Sequence, residues 1–139
     1  MCLLRVSKLS NLDHLNYCKE IFEFSSNYQE INFRNVISKS YYFAFYESIA
    51  RLESLDWEVT NSRGGVHVVE ISRFLGYPVE ELSENQIKLA KKLHFKMTAL
   101  KKLRTKVDYK LDQPISKNLA IYSITEAEKI SNDLKLLGM

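Results

Sequence analysis

Residues 1–63 contain neither glycine nor proline, and residues 79–113 contain none either. Of the four glycines and two prolines in the 139-residue chain, only Pro114 and Gly138 fall outside the interval from Gly64 to Pro78. Long stretches free of these breakers favour helix, so the spacing predicts helices separated by one central and one late loop. The same scarcity argues against a turn-rich sandwich or barrel. Apolar and aromatic residues run along the whole chain and the net charge is +3, so a packed core is expected rather than disorder. The length suits one domain, residues 1–139.

Five helices are expected. The first runs from about Asn11 to Ser25, with Ser10 as N-cap, and the second from about Phe33 to Leu55. A shorter third spans about Gly65 to Leu75 and stops at Gly76 and Pro78. Ser83-Glu-Asn-Gln86 is a capping box that opens a fourth, ending near Lys110, and Glu80, Glu81 and Glu84 suit its positive N-terminal dipole. Thr125-Glu-Ala-Glu128 is a second capping box, predicting a fifth helix from Thr125 to just before Gly138.

The second helix is apolar on nearly every side: Val36, Ile37, Tyr41, Tyr42, Phe43, Phe45, Tyr46, Ile49 and Leu52 point in almost all directions. Such a helix belongs in the middle of a bundle or in an interface. Ser40, Ala44 and Ser48 add a ridge of small side chains along it. The fourth helix is the reverse. It carries nine Lys or Arg between Lys88 and Lys110, against the single acid Asp108. Leu89, Leu93, Met97, Leu100, Leu103 and Val107 form its apolar stripe. Arg104 falls inside that stripe, where a charge must be paired or must face a site, and Asp108 is its neighbour one turn on.

Several function classes lose their footing. Cys2 and Cys18 are too few for a disulfide scaffold and fit no zinc spacing, and His14, His67 and His94 are scattered, so neither metal nor cofactor is expected. Walker-type, dinucleotide and nucleophile-elbow motifs are absent. No apolar run approaches the roughly 20 residues of a membrane helix, and MCLLRVSKLS lacks a signal-peptide core, so a cytoplasmic protein with reduced thiols is expected.

Two readings attach to each remaining feature. The lysine run is either a solvated face or a phosphate-contacting surface. The Tyr41–Tyr46 stretch either packs the core, its hydroxyls then needing partners, or stacks bases. From spacing alone His67 is a satisfied histidine at the edge of the core, with Ile71 and Phe74 on its face. The functional alternative pairs it with Arg63, an Arg and a His presented at a helix start to an anionic substrate.

Three segments together resemble the HEPN superfamily (the helical domain named for higher eukaryotes and prokaryotes, nucleotide-binding). Asn35-Val-Ile-Ser-Lys-Ser-Tyr-Tyr-Phe-Ala-Phe-Tyr46 is similar to its long helix with a Ser-Arg-Ala-Tyr-Tyr-Ala-like core. Gly64-Gly65-Val66-His67, with Val-Val-Glu-Ile-Ser-Arg-Phe-Leu after it, resembles the next helix, which often carries a His at this point. Leu100-Lys-Lys-Leu-Arg104-Thr-Lys-Val-Asp108-Tyr109 resembles the family's Leu-x-x-Leu-x-x-x-Arg-x-x-Ala-Asp-Tyr signature, shifted by one residue. The resemblance covers about Asn32 to Leu137.

The resemblance implies an all-α, up-and-down bundle of four or five helices that forms a homodimer. It further implies an RNA-directed effector, a metal-independent endoribonuclease of a toxin–antitoxin or antiviral defence system. In that role Arg63 would contact the scissile phosphate, His67 would act as general acid or base, and Lys101, Lys102 and Arg104 would hold RNA. The alternative is a non-catalytic module that binds RNA, a nucleotide or a protein partner, such as an antitoxin or a nucleotidyltransferase, with Arg104 and Asp108 as a structural pair. The chain departs from the ribonuclease pattern at four places, one being that no His closely follows Arg104. Lys39 stands where the long helix often has Arg, Tyr46 where it often has His, and only three residues separate Arg63 from His67.

Overall fold

The computed structural model describes residues 9–23 and 28–139, with Glu23 by its backbone alone. Cys2 lies outside the described residues. Among these residues the fold is all-helical, with no strand: α1 (Asn11–Glu23), α2 (Gln29–Ser54), α3 (Val66–Ile71), α4 (Glu84–Tyr109) and α5 (Lys117–Leu136). A 3₁₀ turn, Ser72–Leu75, continues α3. No described helix is long and apolar enough to cross a membrane.

The helix that is apolar all round is the one at the centre. α2 packs against α1, α3, α4 and α5, and its Val36, Ile37, Ser40, Tyr41, Phe43, Ala44, Phe45, Ser48 and Leu52 are all buried. Its small ridge is fully covered, and α5, its most extensive neighbour, buries small residues of its own at Ala120, Ser123 and Ala127. Two apolar clusters lie along α2. One gathers Tyr41, Phe43, Phe45 and Leu52 with Trp57, Phe74, Leu93, Met97, Leu100 and Ile130. The other, smaller, joins Val36 and Ile37 to Cys18, Val107, Ile115 and Ala120. Full burial of one such aliphatic or aromatic side chain is worth about 1.5–3 kcal/mol. Cys18 is a buried free thiol whose Sγ lies 3.5 Å from the Val36 carbonyl, and burial pushes its pKa up, so it packs as a small apolar group.

Helix termini depart from the sequence expectation in an instructive way. α5 begins at Lys117, eight residues before Thr125. Ser116, two residues after Pro114, caps it by accepting from the Leu119 amide at 3.3 Å. The acids of the supposed capping box sit mid-helix and reach sideways. Glu126 pairs with Lys96 of α4 at 3.6 Å and Glu128 with Lys19 of α1 at 2.9 Å. α4 does start where its box predicts, with Ser83 Oγ accepting from the Gln86 amide. The Gln86 side chain does not fold back, however. It donates to Leu136 O and accepts from the Gly138 amide, tying the C-terminal end of α5 to the start of α4. Gly76 ends the α3 region without a left-handed turn (φ −89°). Its requirement for glycine is spatial, because a Cβ there would come within 2.1 Å of the Glu58 carbonyl oxygen.

The C-terminal end of α4 is held by a buried arginine of α2. Arg34 Nη1 donates to Val107 O (2.8 Å) and Lys110 O (3.4 Å), and Nη2 to Leu111 O and Gln113 O. These include carbonyls that the end of a helix leaves without partners. Glu30 completes the clamp by accepting from the Ile115 amide at 2.8 Å.

Candidate functional site

The polar constellation of the molecule forms at the seam between the two apolar clusters. On α4, Arg104 falls between Leu100 of the larger cluster and Val107 of the smaller. On α2, Tyr41 lies one turn beyond Ile37. The short α3 brings His67 over this seam, in its first turn.

Tyr41 is fully buried, and its hydroxyl must find a partner. That partner is His67: Tyr41 Oη and His67 Nδ1 are 2.7 Å apart. The imidazole stacks on Phe45, with ring centroids 4.3 Å apart, and meets Tyr42 edge-on at 5.8 Å. Tyr46 stacks on Tyr42 at 6.1 Å and carries His14 on its other neighbour side at 6.2 Å. The result is an aromatic wall contributed by α1, α2 and α3, buried at Tyr41 and exposed at Tyr46.

Arg104 reaches into this wall from α4. Its Cζ lies 5.4 Å from the Tyr41 ring centroid and 5.6 Å from that of Tyr42, a cation–π arrangement on two rings. Its hydrogen bonding is thin for a buried guanidinium. Nη1 reaches Asp108 Oδ2 at 3.5 Å, and Nε is buried with no partner. Asp108 is itself shared, accepting from Ser38 Oγ at 3.4 Å. An arginine has five donors in a rigid fork, so this one holds unused capacity for an anion.

Electrostatics follow from the packing. Burial lowers the His67 pKa from its ordinary 6.5, and the positive charges of Arg104 and Lys101 lower it further. The imidazole is therefore neutral at pH 7. Burial raises the Tyr41 pKa well beyond the ordinary range despite the nearby Arg104, so the phenol keeps its proton. Two tautomers fit this contact: the phenol donates to Nδ1 with the imidazole proton on Nε2, or Nδ1 carries the proton and donates to Tyr41 Oη.

The residues singled out from the sequence are not all brought together. His67, Arg104 and Asp108 meet at the seam, and Lys101 is close enough to act on His67. Arg63 is exposed in the loop before α3, where its amide donates to Asn61 Oδ1, and its guanidinium makes no bond among the described residues. Lys102 is exposed on another face of α4. Tyr41 and Tyr42 are part of the site, although neither was among the site residues singled out from the sequence. The signal that finds Tyr41 is its hydroxyl, which a buried helix cannot satisfy from its own backbone. No group of three or more His, Cys, Asp or Glu among the described residues is arranged to hold a metal ion.

Comparison of the chain with protein-family models, with curated proteins and with solved structures returns no match.

Proposed function

We propose that the seam between α2, α3 and α4 binds a phosphodiester of RNA and that His67 acts on it as general acid or base. The protein would then be an RNA-directed effector of the HEPN type, cleaving without a metal. The observation that carries this reading is the buried, under-bonded guanidinium of Arg104 beside a neutral imidazole. A phosphate oxygen would supply the acceptors Arg104 lacks, and a neutral imidazole is the form that can take a proton near pH 7.

In this reading the proton of the ribose 2′-hydroxyl passes to His67 Nε2. The 2′-oxygen bonds to phosphorus as the P–O5′ bond breaks, and the 5′-oxygen takes a proton from solvent, to which the imidazolium later returns its own. For Nε2 to accept, the imidazole must carry its proton on Nδ1 and donate to Tyr41 Oη, one of the two tautomers that the 2.7 Å contact allows. Tyr41 accommodates both, because a phenol donates or accepts. Arg104 offsets the charge that builds on the phosphoryl oxygens. The phosphate role that the resemblance implies for Arg63 passes here to Arg104. The resembled family completes its site with a second subunit, and exposed Tyr46 and Val66 offer such a copy an apolar surface next to His67.

A second reading, a non-catalytic binding module, is favoured by one observation. Among the described residues Tyr41 is the only acid–base group bonded to His67, and its phenol is held protonated. Incubating purified protein with single-stranded RNA in chelator, beside His67→Ala and Arg104→Met, separates the two. Catalysis predicts cleavage by the unmodified protein and none by His67→Ala. A binding module predicts no cleavage by either, with binding lost in Arg104→Met. Equal cleavage by all three proteins would remove the seam from the chemistry.

A further inference from the structure

Two sets of lysines on α4 contrast. Those facing α5 are neutralised: Lys92 pairs with Asp133 at 3.3 Å and Lys96 with Glu126 at 3.6 Å. Lys91, Lys102 and Lys106 have no ion-pair partner among the described residues. At 100° per residue these three share one face of the helix with Phe95 and Tyr109. Phe95 is 73% exposed and Tyr109 72% exposed, although both stand in a helix with ample apolar core to join. Phe95, Lys102 and Tyr109 follow one another at intervals of seven residues, so the two rings are about 21 Å apart along the axis with a cation midway.

We infer that this face of α4 is a stacking platform for single-stranded RNA, with bases lying on Phe95 and Tyr109 and Lys91, Lys102 and Lys106 contacting the phosphates between them. The inference rests on the proposed RNA-directed function and adds the form of substrate: unpaired, and read by stacking rather than by sequence. Charge complementarity selects the occupant, because unpartnered cations between exposed rings match a chain that alternates π-faces with anions. A duplex cannot use the rings, since its bases are already stacked and its grooves do not offer them. The platform also connects to the seam. Lys101, adjacent to Lys102, turns 100° around the helix towards His67, so a strand leaving the platform over the edge of α4 meets the Arg104 guanidinium next.

The test measures binding of an unstructured RNA of about 12 nucleotides, methylated at its 2′-hydroxyls so that it cannot be cleaved, and of the duplex of the same sequence. Phe95→Ala and Tyr109→Ala should each weaken single-strand binding about fivefold or more, leave the weaker duplex binding unchanged, and leave thermal stability unchanged. Single-strand affinity within about twofold of the unmodified protein in both variants, with Arg104→Met weakened, would overturn the platform and leave the seam standing. Loss in the ring variants with none in Arg104→Met would keep the platform and overturn the seam. Light scattering that showed a dimer dissociating on Phe95→Ala, with RNA affinity intact, would assign this face to a second copy of the chain and overturn the inference.

Discussion

Two arginines of this protein are equally buried, each 8% exposed, and they are bonded very differently. Arg34 on α2 spreads its guanidinium over four carbonyls at the end of α4. Arg104 on α4 has two tyrosine faces, one long contact to a shared carboxylate and an orphaned Nε. A buried charge is tolerated only when its hydrogen-bond capacity is met. Arg34 meets that condition within the fold, so it is structural. Arg104 does not, and its charge lies near enough to His67 to lower that imidazole's pKa. The difference separates a residue whose donors the fold uses from one whose donors it leaves partly unused.

The largest expected effect falls on the structural member. Arg34→Ala strands the carbonyls at the end of α4 and should destabilise the protein by about 3 kcal/mol or more in denaturant unfolding. Arg104→Met keeps the volume and leaves Asp108 half in solvent. It should change stability by about 1 kcal/mol or less while weakening RNA binding about tenfold or more. If the two variants lose stability alike, the contrast between the arginines is broken.

A smaller effect sharpens the seam. Tyr41→Phe removes the partner of His67 Nδ1 without opening a cavity, and should cost about 1 kcal/mol of stability, read by urea unfolding. No change would mean that the imidazole is held by Phe45 stacking alone.

The smallest effect is the pH dependence. The folded His67 binds a proton less readily than the unfolded chain, whose histidine titrates near 6.5. Below that pH the unfolded state takes up protons that the folded state refuses, so stability falls as pH drops from 6.5 towards the folded pKa. Burial lowers His94 in the same direction, so His67→Gln should flatten the slope only in part. An unchanged slope between about pH 7.5 and 5.5 would mean that His67 is not shielded in the folded state.

Much of this was legible in the sequence. The absence of breakers across 1–63 and 79–113 announced long helices, and a helix apolar on all sides had to be covered, at the centre of a bundle or in an interface. Arg104 stood out because its direction fell within the Leu93–Val107 stripe. What could not be read was set by tertiary partners. Thr125-Glu-Ala-Glu128 looks like a helix start, because local pattern does not reveal that Lys96 and Lys19 await Glu126 and Glu128. The Tyr41–His67 bond joins residues 26 apart through the placing of a six-residue helix. The clamp of Arg34 on α4 spans more than 70 positions, and nothing near Arg34 points to it.

The most direct test of the account is an NMR titration of the His67 imidazole in the presence and absence of uridine 3′-monophosphate, with Arg104→Met as control. A phosphate seated on Arg104 beside the ring favours the imidazolium, so the depressed pKa should rise on binding in the unmodified protein and stay put in Arg104→Met. A His67 pKa that ignores the nucleotide in both proteins would contradict the assignment of this seam as a phosphate site.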